Sequence, residues 1–177
     1  GDNAEYIDYA TVYGSRFQIL RMAFNNSTYA ETQEYAQFEK DNEYWLDDYS
    51  LYMAVKFKFD NQEWSKWDYD IKARQPEAID RYKEELKDDI AFWKFCQFKF
   101  FEQWNKLRVY ANESGIEIIG DIPIYVAMDS ADVWAHKDLF ELDEDFEQIN
   151  VAGVPPDAFS EDGQLWGNPL YNWNRME

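Results

Sequence analysis

The chain has 177 residues, enough for one domain with a real core, and sets 17 Lys and Arg against 36 Asp and Glu for a formal net charge of −19. With 46% apolar and 19% aromatic residues it is no disordered acidic tail. Its charge argues against recognising nucleic-acid backbones or an anionic membrane surface. No apolar run approaches the roughly eighteen residues of a spanning helix. Residues 1–10 lack the basic flank and apolar stretch of a signal peptide. The single cysteine, Cys96, excludes an internal disulfide and points to a reducing, cytoplasmic compartment.

The first two-thirds read helical. Residues 12–25 place Phe17, Leu20, Ala23 and Phe24 on one face. Ser27 or Thr28 can cap a second helix over 29–39, with Glu31 as capping-box partner. Residues 45–59 repeat the pattern through Leu46, Tyr49, Met53 and Phe57, with Asp47 and Asp48 in the expected first turn. Trp64 and Trp67 follow in a short polar stretch without a period. Pro76 then suits a first helical position.

From Pro76 runs a stripe of Ile79, Tyr82, Leu86, Ile90, Trp93, Gln97, Phe100, Trp104, Leu107 and Ala111, spaced by three or four and closed by Gly115. Unbroken it would exceed about 50 Å, so a bend or break is expected. Gln97 is the one polar group on the stripe, either a satisfied core amide or an amide reaching a pocket.

After Gly115 the period changes. Residues 116–125, I-E-I-I-G-D-I-P-I-Y, form a nearly continuous β-branched run that predicts a strand buried on both faces, with Pro123 demoting its second half. Helix, glycine and buried strand make the αβ step of an α/β fold. Asp129 or Ser130 can cap a short helix through His136, and residues 151–173 read as an irregular loop.

Two places suit chemistry. Asp121 stands at the carboxyl end of the expected strand, where α/β folds gather ligands; equally, it can be a turn aspartate bonding its own backbone. The 153–173 loop carries Phe159, Trp166, Tyr171 and Trp173. Tyr171 and Trp173 read as pins, whereas Trp166, flanked by Gln164 and Asn168, reads as an apolar platform with hydrogen-bonding edges, suited to a sugar ring. One His and one Cys leave His136 as a surface residue and Cys96 as packing. Asp143, Glu144 and Asp145 lack the spacing of a calcium loop, and no phosphate loop or nucleophile elbow is present.

At these segments the chain resembles a known family. G-I-E-I-I-G-D-I-P-I-Y-V-A-M-D-S-A-D-V-W-A, residues 115–135, is similar to the third-strand region of the 4-alpha-glucanotransferases (amylomaltases, disproportionating enzymes). V-A-G-V-P-P-D-A-F-S-E-D-G-Q-L-W-G-N-P-L-Y-N-W, residues 151–173, is similar to their substrate loop, with W-L-D-D-Y-S-L-Y-M-A at Trp45 and F-x-x-Q-W at Phe100 as further matches.

The resemblance implies an α/β fold: part of a (β/α)8 TIM barrel of the α-amylase clan, in this chain mostly α-helical with one or a few buried strands. It divides the chain into a helical insertion and long helix at 1–114 and the third barrel strand with the glucan loop at 115–177. It implies transfer of α-1,4-glucan segments with retention, which takes two carboxyl groups about 5 Å apart. In the family those groups follow strands four and five, with a third after strand seven. All are expected after Glu177, and the first-strand motif before Gly1, so no catalytic carboxylate is expected here.

Carried over by the resemblance, Asp121 supports the sugar site beside the nucleophile, and Asp157, Phe159, Ser160, Gln164 and Trp166 line the glucan groove. Met128-Asp129 stands where the clan usually has Asn-His, as is normal for this branch, and Ala158 replaces a tyrosine of some members. No metal or organic cofactor is implied. The expected partners are a maltooligosaccharide or glucan, and either a second copy or the rest of the barrel to cover an unpaired strand edge. The rival reading is a catalytically inert helical module that binds glucan or another protein.

Overall fold

The computed structural model describes residues 6–176; the part of the N-terminal reading that falls on residues 1–5, and Glu177, lie outside them. Helix α1 (Tyr9–Asn25) begins where Asp8 accepts the Thr11 amide, and its Phe17, Leu20 and Phe24 pack on the core. The second helix starts later than expected. Residues 29–31 make a single 3₁₀ turn, and Thr32, in extended backbone, caps α2 by accepting from the Tyr35 amide. Helix α2 (Gln33–Lys58) then fuses the two helices expected over 29–39 and 45–59. Asp47 and Asp48 therefore sit mid-helix rather than in a first turn, and pair outward with Lys94 at 2.5 Å and Arg74 at 2.6 Å. Nothing between residues 39 and 45 breaks a helix, since every residue there tolerates it.

The long stripe breaks at Leu86, as its length requires, into α4 (Pro76–Glu85) and α5 (Lys87–Glu113), after the short α3 (Tyr69–Lys72). Gly115, at φ 76°, closes α5 in a Schellman motif: its amide bonds Asn112 and the Ile116 amide bonds Ala111. Two non-glycine residues take the same left-handed role, Asp60 after α2 and Arg74 after α3. Gln97 is half-buried on α5 and lines none of the grooves described below.

The core is built from indoles. Trp64, Trp67 and Trp134 are buried, with Leu51, Val55, Ile71 and Val133 around them. Each indole N–H finds a carbonyl: Trp64 at Met128 (2.6 Å), Trp67 at Gln62 (3.2 Å) and Trp134 at Ile71 (3.1 Å). Burying such a ring is worth roughly 4 kcal/mol, so the stretch around Trp64 that showed no period is a centre of stability. Helix α6 (Ala131–Ala135), capped by Ser130, carries Trp134 into that core, and His136 is exposed at its end.

Two expectations fail. Residues 116–124 form no strand and are exposed, with Ile119 at 93%. A parallel strand needs neighbours for its amides and carbonyls, and no described segment pairs with this one. The 151–173 segment, in turn, is not an irregular loop. It holds β1 (Val151–Val154) and β2 (Gln164–Pro169), an antiparallel pair and the one sheet among the described residues. The α/β step expected from the sequence is therefore not formed among them.

Candidate functional site

The hairpin positions most of the expected site residues. Val151 stands opposite Pro169 and Gly153 opposite Leu165, so β1 advances two residues while β2 advances four. The surplus bulges at Trp166 and Gly167, where Gly167 takes φ 76°. Trp166 is thereby left 45% exposed, with its indole N–H donating to Gln164 Oε1 at 3.1 Å. Its ring meets the Tyr125 ring edge-on at 6.2 Å between centres, and Tyr125 stacks on Tyr171 at 5.7 Å and 13°. Asn168 donates to the Val126 carbonyl at 2.9 Å, fastening the bulge to the segment after residue 124.

The close approach of β1 and β2 requires glycine. A Cβ on Gly153 would lie 2.3 Å from the Gln164 carbonyl oxygen, and one on Gly163, already at φ 71°, would lie 2.5 Å from that of Val154.

The connection between the strands is held by Asp157 and Ser160. Asp157 Oδ1 accepts from the Phe159 and Ser160 amides, both at 2.8 Å, and the Ser160 hydroxyl donates to the Gly163 carbonyl at 2.7 Å. These bonds turn Phe159 outward, where it is 95% exposed. The structure thus brings Gln164 and Trp166 into contact, fastens Asn168 beside them, and gathers Asp157, Phe159 and Ser160 in the adjoining turn. Asp121 joins neither group. It lies on the exposed 116–124 segment, and its carboxylate accepts from the Ile122 amide at 2.8 Å, the local bond of a turn aspartate.

Tyr171 is a pin, as read, stacked on Tyr125 and against Phe140. Trp173 touches Tyr171 but is otherwise exposed. Tyr125 was missed: it lay inside the run read as a strand, and its aromatic type was the signal available. The sequence reads Asp129 as a helix cap and, with Met128, as the pair standing where the clan usually has Asn-His. Instead it is a hub, accepting from the Tyr52 hydroxyl at 2.7 Å and the Trp64 amide at 3.3 Å, and pairing with Lys56. Burial opposes its ionisation, but the Lys56 ammonium and Tyr52 hydroxyl together hold its carboxyl below the usual range.

No acid–base pair shows among the shifted groups. Asp8, Asp70, Glu102 and Asp129 are all shifted down, by donors or cations, whereas a general acid needs its carboxyl raised. Burial pushes the Cys96 thiol up to about 11, which leaves it inert. Among the described residues no three His, Cys, Asp or Glu gather to hold a metal ion, and no helix is long and apolar enough to cross a membrane. A wide groove of about 970 Å³ lies elsewhere, between the start of α2 and the second half of α5. Its rings Tyr29, Phe38, Phe98 and Phe101 are engaged with one another or with Tyr35, so it offers no free stacking face comparable to Trp166.

The fold is similar to part of a solved structure. The chain superposes on an amylomaltase from Streptococcus agalactiae in complex with acarbose with a TM-score of 0.87 at 41% identity, over 98% of this chain and 36% of that one. A 4-alpha-glucanotransferase of Clostridium butyricum is 51% identical over 178 residues, covering 100% of this chain and 37% of that protein. One from Thermus thermophilus is 42% identical, covering 97% and 35%. The family model described as 4-alpha-glucanotransferase matches residues 1–177, and the chain belongs to that family. It spans about a third of the length of the curated relatives it matches.

Proposed function

We propose that this chain is the acceptor-side portion of a 4-alpha-glucanotransferase of the α-amylase clan, working in the cytoplasm on maltooligosaccharides. The enzyme cleaves an α-1,4-glucan, holds the glucosyl group as an ester on a carboxylate, and passes it to the 4-hydroxyl of another sugar, so configuration is retained. Residues 1–114 serve as the helical insertion and long helix. Residues 115–177 supply the third strand of a (β/α)8 barrel and the glucan loop. The nucleophile and the acid–base carboxyl lie on strands outside this chain, and Asp121 supports the sugar beside them once its segment is paired.

The observation that carries this reading is the half-exposed Trp166 face, edged by Gln164 and Asn168 and braced by Tyr125. A sugar can lay its C–H face on the ring while its hydroxyls meet the amides. Phe159, turned outward by Asp157 and Ser160, covers the acceptor from the other side and keeps water from the ester, which favours transfer over hydrolysis.

The test uses maltotriose. A full-length protein containing this chain converts it to glucose and longer maltooligosaccharides by chromatography, and the 177-residue chain alone leaves it unchanged. Turnover by the chain alone overturns the placement of the catalytic carboxylates. In the full-length protein, Trp166→Ala lowers transfer to sugar acceptors more than hydrolysis; equal loss of both removes the acceptor role.

A further inference from the structure

Gly167, the hinge of the bulge that presents Trp166, is not held by packing. The strand register pairs none of residues 166–168 with β1, and a Cβ built on Gly167 would meet no atom within 4 Å. Glycine at φ 76° leaves its conformation more readily than any other residue would. Hydrogen bonds must therefore fix this hinge, and two side chains supply them on either side of it. Asn168 Nδ2 donates to the Val126 carbonyl at 2.9 Å, and Gln148 Nε2 donates to the Gly167 carbonyl at 2.7 Å.

Gln148 can act as a clamp because its own backbone is fastened. It is half-buried and stands opposite Leu142 in a turn over residues 141–149. In that turn the Asp143 amide donates to the Glu147 carbonyl at 2.9 Å, and the Ile149 amide to that of Glu141 at 3.0 Å. Phe146 of the same turn packs on the indole core beside Trp64 and Tyr69. The base of the turn is tied to the chain just after β2, where the Glu141 amide donates to the Leu170 carbonyl at 2.9 Å. The clamp and the strand it holds thus share one support. Its partner on Gly167 is a carbonyl, so the Gln148 amide nitrogen must face it; an ionised carboxylate or an apolar side chain could not take its place.

We propose that Gln148 is a positioning residue for the sugar acceptor. Through the Gly167 carbonyl it selects the one bulge conformation that presents the Trp166 face beside Gln164. The inference rests on the reading of Trp166 as the acceptor platform. Without the Gln148 amide the peptide between Gly167 and Asn168 is free to rotate, and Trp166 spends part of its time out of place. The acceptor then binds only the competent fraction, which raises its apparent dissociation constant in proportion. Cleavage of a donor whose leaving group does not reach the platform is untouched.

The experiment uses the full-length protein containing this chain, with maltosyl fluoride as glycosyl donor and glucose as acceptor; fluoride is too small to use the platform. Gln148→Met keeps the side-chain length but loses the N–H, and raises KM for glucose roughly three- to ten-fold with kcat unchanged. Gln148→Lys regains an N–H and returns KM toward the wild-type value, with circular dichroism checking that both variants remain folded. A second readout needs no turnover. In fluorotryptophan-labelled protein the Trp166 fluorine resonance, identified by its loss in Trp166→Phe, is single in the wild type and split or broadened in Gln148→Met. An unchanged resonance, or a fall in kcat without a rise in KM, overturns Gln148 as the clamp. If Trp166→Ala raises KM for glucose and Gln148→Met does not, Gln148 alone is overturned. If Trp166→Ala leaves that KM unchanged, the platform reading falls and takes the acceptor role of Gln148 with it.

Discussion

At the scale of single residues, Asp129 joins three parts of the chain. One carboxylate ties α2 through Tyr52 and Lys56 to the start of the Trp64 turn, and its own neighbour Met128 accepts the Trp64 indole. Asp129→Ala strips the Lys56 ammonium of its partner and leaves the Trp64 amide without an acceptor. Because the carboxylate is about one-third exposed, the full cost of breaking a buried pair does not apply. A loss of about 2 kcal/mol is expected from the hydrogen bonds and the weakened pair, read by urea denaturation. The pH dependence follows from the lowered folded value. The Asp129 contribution is complete above the ordinary carboxylate range and disappears as pH falls through the folded value. The wild-type chain therefore loses more stability between neutral pH and strong acid than Asp129→Ala does. Equal acid sensitivity of the two would remove Asp129 from that role. The sequence marked Asp129 as polar and near a helix start. Its partners are 65 to 77 positions away, beyond the reach of any local pattern.

At the scale of elements, caps and glycines mark boundaries more firmly than period does. The apolar spacing was legible in α1, α4 and α5, and the length argument located the need for a break that Leu86 supplies. The start of α2 was misplaced because Ser27, Thr28 and Thr32 are equally able to cap, and only the extended backbone at Thr32 selects among them. Thr32→Ala should cost about 1 kcal/mol and fray residues 33–36, seen as faster amide exchange there with α5 unchanged. In the hairpin, Gly153→Ala drives a methyl into the Gln164 carbonyl and should separate β1 from β2. The expected loss is roughly 2 kcal/mol, with quicker proteolysis within 155–163 and little change in helical content. Unaltered cleavage would show that the strands tolerate the spacing.

At the scale of the whole molecule, the apolar surface is unevenly closed. The indole core between α2, α4, α5 and α6 is sealed, yet Phe100, Leu107 and Tyr110 on α5 and Ile119, Ile122 and Ile124 beyond it face outward. Large apolar side chains left in water in this number invite a partner. The chain alone is expected to associate, its apparent mass rising with concentration in sedimentation, and Ile119→Lys with Ile122→Lys should shift it toward monomer. A wild-type monomer of high thermal stability would count against that expectation. The amides of 117–121 have no backbone acceptor among the described residues and should exchange within seconds, unless pairing with a second chain protects them.

Much about this protein was determined by its sequence alone. Periodicity placed the helical faces, Pro76 and Gly115 bounded the long stripe, and two long motifs carried the resemblance that the family match bears out. These signals are local, or lie in the order of residues itself. Only the tertiary structure decided the rest. The apolar run at 116–124 has every composition mark of a buried strand, but a strand exists through its neighbours. The residues around Trp64 show no period, but the Met128 carbonyl, 64 positions on, takes the Trp64 indole, and the Ile71 carbonyl takes that of Trp134 from 63 positions away, which makes these rings the centre of the core. The same holds for the site. Residue type singled out Trp166 and its amides, whereas the bulge that exposes the ring follows from a register between two strands that no single segment encodes.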